Sequence, residues 1–321
     1  MTSHLLNWET EDEYEAMAER YIKNGRANKL SRAQQAQRQA VMATLADESE
    51  QTADFHPTYL RNFDPKHHEY TWLLESLGGF YHDKVLDDIL RMVKGGKEAN
   101  VYVCTGTPAT GHELIAAKVY RPRMLRSLSN DAIYKEGRSA KDEAGQEIRG
   151  GRLRRALLKK TTFGQKVDFA TWITHEYQVQ TALHEAGAAV PKPLAQRGNT
   201  ILMSYLGDRH TAAPTLHDIR LPAASAPPLF DEIMRNIELF LAHHTVHGDL
   251  SPYNILYWQG EVTLIDFPQM VDARINPHAF KLLQRDIQRV VDYFAPLGLR
   301  DRAPDLAADL WERYMGGELG E

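Results

Sequence analysis

The spacing of apolar residues predicts an N-terminal half rich in β-strands and a largely helical C-terminal half. Apolar runs with few charges, typical of buried strands, lie at Val101–Cys104, Leu114–Tyr120 and Thr200–Gly207. Apolar residues recur at helical spacing in Phe169–Leu183 and Leu229–His244, which predicts two amphipathic helices. The pattern therefore predicts an α+β protein.

Weaker patterns predict further elements around these. Tyr70–Leu77 is predicted as a short helix ended by a Gly-Gly pair, because glycine often follows the last helical turn. Val190–Leu194 is predicted as another strand. Pro277–Phe294 and Asp305–Tyr314 have the spacing of amphipathic helices and would complete the helical half.

The first 66 residues are predicted to form a separate extension. Leu30–Leu45 has high helix propensity and few apolar residues, which predicts a loosely attached helix or a segment disordered without a partner. Asp54–Lys66 contains two prolines and is predicted to be a linker. We therefore expect a helical and partly disordered extension over residues 1–66.

Two short apolar runs after residue 254 predict a β-hairpin. The runs are Ile255–Trp258 and Val262–Ile265, and the chain between them turns at Gln259-Gly260. The hairpin would place Asn254 at the start of one strand and Asp266 at the end of the other, facing one cleft.

The residues around this hairpin have the spacing of a phosphoryl-transfer site. His247-Gly248-Asp249 precedes Asn254, and Asp266 follows the second strand. In such a site one Asp orients the attacking hydroxyl, while an Asn and a second Asp bind the magnesium that bridges the nucleotide phosphates. We predict Asp249 as catalytic and Asn254 and Asp266 as metal ligands; the alternative is a hairpin with surface carboxylates.

A glycine-containing turn before the Val101–Cys104 strand could cover nucleotide phosphates. Glycine allows backbone N–H groups to approach phosphate oxygens closely. The turn is not a Walker A motif, because Lys97 is not followed by Ser or Thr and no helix follows. We predict that Gly95, Gly96 and Lys97 close over the phosphates, although many ordinary hairpins also turn on Gly-Gly.

A single lysine, Lys118, lies within the predicted strand Leu114–Tyr120. A strand lysine at this distance after a glycine loop contacts the α- and β-phosphates in kinases; the alternative is a lysine on an exposed strand edge. Glu176 on the following helix is the predicted ion-pair partner of Lys118, with Glu185 and Asp168 as alternatives.

A bend after the strand that begins at Thr200 could present backbone groups to adenine. From their position in this bend, we predict that Met203, Ser204 and Leu206 bind the nucleotide. Recognition through backbone N–H and C=O groups leaves little side-chain signature, so the assignment depends on position alone.

Composition narrows the class of protein. With 43% hydrophobic and 25% charged residues, and no apolar run near the ~20 residues that span a bilayer, we expect a cytoplasmic protein without a membrane partner. The one cysteine, Cys104, excludes an intrachain disulfide and a cysteine-based zinc site, and we expect it to be a packed thiol in a strand.

The charge is unevenly distributed. The net charge is -5, yet residues 121–160 carry twelve Lys or Arg against five Asp or Glu. The low apolar content of residues 121–164 predicts an insertion. Its basic part is either a docking surface for an anionic partner or a solvated loop.

Three stretches of the sequence resemble the RIO atypical protein kinases. They are GKEANVY at Gly96–Tyr102, HGDLSPYNIL at His247–Leu256 and IDFPQ at Ile265–Gln269, and the resemblance covers about Tyr81–Phe294. The first stretch is most similar to the first RIO subfamily, while Phe-Pro-Gln-Met at Phe267–Met270 also resembles the second. The long basic insertion differs from that pattern and suggests a bacterial-type branch.

The resemblance implies a trimmed protein-kinase-like fold with two lobes. Residues 67–206 would form a β-rich N-lobe with the basic insertion 121–164, and residues 207–321 a helical C-lobe with the catalytic and metal-binding loops. ATP, with Mg²⁺ or Mn²⁺, would bind between the lobes.

The resemblance also implies an activity and partners. RIO proteins autophosphorylate on serine, for which Ser127, Ser129 and Ser139 are candidates here. They are also described as ATPase-like, with an acyl-phosphate on the metal-binding Asp, here Asp266. In archaea and eukaryotes the family acts in small-ribosomal-subunit maturation, so residues 121–160 could contact the ribosomal subunit or RNA.

Two other functions remain as alternatives. One is a small-molecule phosphotransferase similar to aminoglycoside or choline kinases, which the GKEANVY stretch and the Phe-Pro-Gln after Asp266 disfavour. The other is an assembly factor that uses ATP as a conformational switch with little kinase activity. The protein substrate itself is not predicted.

Overall fold

The computed structural model describes residues 54–64, 68–96, 98–121, 162–299 and 301–319. The predicted helix at Leu30–Leu45, Lys97 and the three candidate serines lie outside the described residues. The basic segment 121–160 also lies outside them, except for Arg121.

The N-terminal part is built on an antiparallel sheet with strand order β1-β2-β3-β5-β4. Its strands are β1 (Leu86–Gly95), β2 (Ala99–Gly106), β3 (Leu114–Tyr120), β4 (Pro193–Arg197) and β5 (Thr200–Ser204). Cys104 is buried in β2, as predicted. The three inner strands, β2, β3 and β5, contain the three apolar runs that predicted strands, and β5 ends at Ser204, before the predicted end at Gly207.

Helices and two small antiparallel pairs of strands form the C-terminal part. The short strands are β6 (Thr245–Val246), β7 (Ile255–Trp258), β8 (Glu261–Leu264) and β9 (Val271–Asp272), with β6 paired to β9 and β7 to β8. The α-helices of the described residues are α1 (His68–His82), α2 (Thr162–Glu185), α3 (Ala226–Ala242), α4 (Ala279–Phe294) and α5 (Ala303–Met315). The α+β prediction is therefore confirmed.

The described residues form three apolar clusters. The first lies between α1 and the sheet, and the second lies among α3, α4, α5 and the β7–β8 hairpin. The third is small and packs α2 against β3 and β5. Phe55 and Leu60 belong to the first cluster and are only 1% and 2% exposed. The prediction of a linker over Asp54–Lys66 is therefore wrong for residues 54–64, because their aromatic and apolar side chains cover the sheet.

Helix α1 does not end at its glycines, so the predicted end at Leu77 is wrong. Leu73, Leu77 and Phe80 form one buried stripe, and extending the helix buries the last of them. Gly79 leaves room for a neighbour, since a Cβ there would lie 2.4 Å from Nη1 of Arg197. The glycine permits close packing here and does not terminate the helix.

Other boundaries shift for identifiable reasons. The strand predicted at Val190–Leu194 is observed as β4 from Pro193, because Lys192 N–H donates to Oγ of Ser204 at 2.9 Å. Helix α2 begins at Thr162, inside the predicted insertion. Helix α3 begins at Ala226, since proline is tolerated in the first turn of a helix.

Within the described residues, no helix is both long and apolar enough to cross a membrane.

Candidate active site

Lys118 lies at the centre of a three-residue ionic cluster. Its Nζ is 2.8 Å from Oε1 of Glu176 on α2 and 2.7 Å from Oδ1 of Asp266, which follows β8. Glu176 is 1% exposed, so this pair is shielded from water. The predicted Lys118–Glu176 pair is therefore present, while the bond to Asp266 joins the sheet directly to the end of the hairpin.

The electrostatics of the cluster favour the charged forms. Burial alone would lower the pKa of Lys118, but Asp266 and Glu176 outweigh it and raise that pKa well above its usual value. Burial opposes ionisation of Asp266, yet Lys118 holds the pKa of that carboxyl below its usual range. Lys118 is thus protonated and Asp266 ionised in this cluster.

Tyr120 supports this cluster, and the sequence reasoning missed it. Its hydroxyl donates to Oε2 of Glu176, and its ring centroid lies 5.1 Å from Nζ of Lys118. The Trp172 ring packs edge-on against Tyr120 at 5.0 Å. Tyr120 lies two residues after Lys118 on the same face of β3, which is the signal that could have found it.

The predicted hairpin is formed by β7 and β8. Gln259 and Gly260 have φ values of 54° and 97°, as a two-residue type I′ turn requires. The second strand ends one residue earlier than predicted, at Leu264, and Ile265 N–H donates to the Asn254 carbonyl at 2.9 Å. This bond extends the pairing of the two strands to Ile265, the residue before Asp266.

Asn254 is oriented by the loop that contains Asp249. Its amide nitrogen donates to the Asp249 carbonyl at 3.0 Å. This bond fixes the amide of Asn254 on its nitrogen side. Asn254 and Asp266, the two predicted metal ligands, lie together at the open end of the hairpin, opposite its Gln259-Gly260 turn.

The loop that follows Asp266 is held in a strained conformation. Asp266 has a φ of 73°, which is rare for a residue other than glycine and is often found at functional sites. Nε1–H of Trp172 donates to the Pro268 carbonyl at 3.2 Å, which anchors this loop to α2. The helix that carries Glu176 therefore also positions Asp266.

His247 joins the two loops through both ring nitrogens. Nε2 lies 3.1 Å from the Ile265 carbonyl, and Nδ1 accepts the Asp249 N–H at 3.3 Å. This pattern requires a neutral ring protonated at Nε2. Burial lowers the pKa of His247, which agrees with that tautomer.

The neutral state of His247 predicts a loss of stability in acid. Because its folded-state pKa lies below the unfolded value of roughly 6.5, folding is opposed once the pH falls below that value. We expect the unfolding free energy of the wild type to drop more steeply from pH 7 to pH 5 than that of His247→Gln. Urea denaturation at each pH measures this difference, and parallel curves would contradict it.

The glycine turn joins β1 to β2. Gly96 N–H donates to the Ala99 carbonyl at 3.0 Å, and a Cβ on Gly96 would lie 2.7 Å from that oxygen. Only glycine fits at this position without a shift of the turn. Gly95 is the last residue of β1 and pairs with Asn100 of β2.

The segment predicted to contact adenine begins at the end of β5. Met203 and Ser204 are the last residues of that strand, and Met203 pairs with Ala116 of β3. Ser204 N–H donates to the Lys192 carbonyl at 2.8 Å, and the Leu206 carbonyl accepts from Ala213 N–H at 3.0 Å. These two bonds fix the path of the bend beside the strand that carries Lys118.

The chemistry of the cleft fits magnesium with a nucleotide. Among the residues that the structure describes, no group of three or more His, Cys, Asp or Glu could hold a metal by itself. Magnesium is usually bound through one or two carboxylates together with water and substrate phosphates. The predicted ligands Asn254 and Asp266 have the oxygen donors that such a partial set would require.

Comparison with known families decides the assignment. The model of the RIO domain matches residues 100–305, about two thirds of the chain. The chain belongs to the RIO family. This confirms the family predicted from the three sequence stretches.

Curated relatives carry names of the first RIO subfamily. This chain is 30% identical over 208 residues to the serine/threonine-protein kinase RIO1 of Caenorhabditis elegans, and the match covers 64% of this chain and 37% of that protein. It is 28% identical over 230 residues to the RIO-type serine/threonine-protein kinase Rio1 of Haloferax volcanii, covering 71% and 69%. The chain thus spans well under half of the first relatives' length, at 37%, 39% and 41%.

A solved structure of a Rio2 kinase is also similar. The complex of Rio2 kinase with ADP, Mg²⁺ and phosphoaspartate from Chaetomium thermophilum is 19% identical, with a TM-score of 0.47. That match covers 84% of this chain and 75% of the other.

Two residues of α4 bond to the loop of Asp249, the predicted catalytic residue, and the sequence reasoning missed both. Asp286 is 2% exposed and accepts the N–H groups of Gly248 at 2.7 Å and Leu250 at 3.1 Å. Burial outweighs these bonds and raises the pKa of Asp286 to about 7. Arg289 reaches the same loop, with Nη1 2.8 Å from Oδ1 of Asp249.

A sequence signal for Asp286 did exist. It lies within the apolar stripe of α4, between the buried residues Leu283 and Val290. A carboxylate in such a stripe needs hydrogen-bond partners, since an unpaired buried charge is costly. The spacing along α4 could therefore have indicated that Asp286 is hydrogen-bonded. It could not have indicated which residues are its partners.

Proposed function

We propose that this chain is a Mg-ATP-dependent serine/threonine kinase of the RIO type. The observation that supports this most is the simultaneous bonding of Lys118 to Glu176 and Asp266. These residues come from β3, α2 and the end of β8, and they meet beside the loop of Asp249 and Asn254. A phosphoryl-transfer site needs a phosphate-binding lysine, metal ligands and a hydroxyl-orienting carboxylate together in one place.

Nucleotide binding uses the strand lysine and the two flanking backbone segments. Lys118 exchanges its bond to Asp266 for oxygens of the α- and β-phosphates, while Glu176 keeps its ammonium in place. The turn at Gly95 and Gly96, together with Lys97, covers the phosphates. The bend at 203–206, with Met203, Ser204 and Leu206, frames adenine.

The metal ligands are Asn254 and Asp266. Magnesium, when bound, neutralises the charge that develops on the transferred phosphoryl group; Mn²⁺ would serve the same purpose. The cleft fits this role because the Asn254 amide is turned by its bond to the Asp249 carbonyl, and because Asp266 is ionised. Released from Lys118, Asp266 directs its carboxylate toward the cation.

Asp249 orients the nucleophile. Its side chain is 39% exposed, so a serine hydroxyl can approach it from solvent. Its backbone is fixed through His247 and Asn254, which keeps the carboxylate in register with the metal ligands. Autophosphorylation at Ser127, Ser129 or Ser139 is part of this proposal.

The partners are also part of the proposal. Residues 121–160, with their excess of basic residues, suit an anionic partner such as the ribosomal subunit or its RNA, in the cytoplasm. An ATPase switch with an acyl-phosphate on Asp266 is the second candidate, since the Asp266 carboxylate is 42% exposed and accessible to a phosphoryl group.

Incubation with γ-labelled ATP and magnesium tests the proposal. We expect acid-stable label on serine with the wild type, and a loss of about a hundred-fold or more with Asp249→Asn, because a positioned acid–base group contributes about this much. Asp305→Asn, an exposed carboxylate on α5, serves as the matched control and should retain the wild-type rate.

The form of the labelled product separates the candidates. Phosphate release with only acid-labile, hydroxylamine-sensitive label would support the ATPase switch in place of the kinase. Transfer to added aminoglycosides or choline would support the small-molecule phosphotransferase. Equal turnover of wild type and Asp249→Asn would contradict all three.

A further inference from the structure

Arg289 is the one side chain of α4 whose hydrogen bond, among the described residues, reaches the carboxylate of Asp249. Nη1 lies 2.8 Å from Oδ1 of Asp249 and 3.4 Å from the Leu250 carbonyl. The two side chains are 38% and 39% exposed, so the pair lies at the open side of the loop. An ion pair this exposed contributes little to stability, which leaves its geometry as its main effect.

The helix that carries Arg289 is itself tied to the loop. One turn earlier, Asp286 accepts two backbone N–H groups of the same loop, and Arg285 donates to the Gly248 carbonyl. Because α4 is bonded to the loop in this way, the helix holds Arg289 at a fixed position relative to Asp249. A guanidinium held in this way can fix the orientation of a carboxylate, since it stays charged and its donors lie in a rigid plane.

The contact with Arg289 gives the two carboxylate oxygens of Asp249 different roles. Arg289 binds Oδ1, and this leaves Oδ2 to accept the hydroxyl of the nucleophile. Without the guanidinium, the Asp249 side chain could rotate about its own bonds. Its productive orientation would then be only one of several.

We infer that Arg289 is a positioning residue that fixes the carboxylate of Asp249 for the attacking hydroxyl. The inference rests on the proposed kinase function and adds a residue to it. Arg289 acts through Asp249 and is not assigned a contact with ATP. Its removal should therefore lower kcat and leave KM for ATP unchanged.

The test is a double-mutant cycle on the full chain, followed by steady-state phosphate transfer. We expect Arg289→Met to lower kcat about ten- to a hundred-fold, because small misplacements of a catalytic group cost about this much. KM for ATP should stay within about two-fold, because Arg289 lies outside the nucleotide contacts proposed above. Arg289→Lys should recover part of kcat, because it keeps the charge but loses the fork.

The cycle shows whether Arg289 acts through Asp249. In the Asp249→Asn background, Arg289→Met should cost no further activity, since the group it orients is already gone. Lys281→Met, an exposed cation on the same helix, is the matched control for changes of surface charge and should behave as wild type. Circular dichroism of each variant checks that α4 is intact.

Three results would overturn the inference. They are a kcat for Arg289→Met equal to that of Lys281→Met, an equal loss in the wild-type and Asp249→Asn backgrounds, or a rise in KM for ATP as the main effect. If Arg289→Met does not fold, the kcat of Arg289→Lys is compared with that of Lys281→Met, and equal values would overturn the inference. A wild type without phosphate transfer is a different result, which refutes the proposed function itself.

Discussion

Asp266→Asn is expected to lower phosphoryl transfer by about a thousand-fold or more, equivalent to ~4 kcal/mol of transition-state stabilisation. The substitution keeps the size of the side chain and removes one negative charge. Asp266 is a proposed metal ligand, so the cation would lose a charged ligand. Before nucleotide binds, Lys118 would also lose its 2.7 Å partner and would keep only its bond to Glu176.

Single-turnover transfer from γ-labelled ATP over a range of magnesium concentrations measures this effect. We expect the residual rate of Asp266→Asn to need more magnesium than the wild type, because one ligand is weaker. Asp305→Asn, an exposed carboxylate on α5, should follow the wild-type curve. A variant with the rate and magnesium dependence of the wild type would exclude Asp266 as a ligand.

Asp286→Ala is expected to destabilise the protein by roughly 3 kcal/mol and to remove most activity. The substitution leaves the N–H groups of Gly248 and Leu250 buried without an acceptor, and each such loss costs about 1–3 kcal/mol. These two residues flank Asp249, so the loop that presents its carboxylate would relax. Stability and activity should therefore fall together.

Urea denaturation at pH 5 and phosphate transfer at pH 7 measure the two effects. Asp292→Ala, an exposed carboxylate on the same helix, is the matched control and should change neither. Burial raises the pKa of Asp286 to about 7, above the unfolded-state value of about 3.9. Its contribution to stability is therefore largest below about pH 4 and falls as the pH rises to about 7. The difference in unfolding free energy between wild type and Asp286→Ala should narrow over the same range. Full activity and stability of Asp286→Ala would show that the loop does not need this anchor.

The parts of the site that are close in sequence were predictable. Asp249, Asn254 and Asp266 lie around one hairpin, and its Gln259-Gly260 turn fixes the register of the two strands. The relative placement of these side chains therefore follows from local geometry. The glycine turn before β2 was predictable for the same reason.

The partner of Lys118 was predictable only as a short set of candidates. Glu176 lies within the helix that the periodicity predicted, and Glu185 and Asp168 lie just beyond its ends. Spacing alone does not say which of the three faces the sheet. The structure selects Glu176 because Trp172 packs against Tyr120 and bonds to the Pro268 carbonyl. These contacts set the rotation of α2 about its own axis.

The sequence alone thus determined the α+β class, the family and the order of the residues along the cleft, since these depend on periodicity and on motifs of short span. Only the tertiary structure revealed the roles of Asp286 and Arg289, which bond to residues 36 to 40 positions earlier. Hydrogen bonds between distant segments leave no periodic trace in a sequence. They depend on how α4 packs against the catalytic loop, and that packing is decided by the apolar core of the whole helical part.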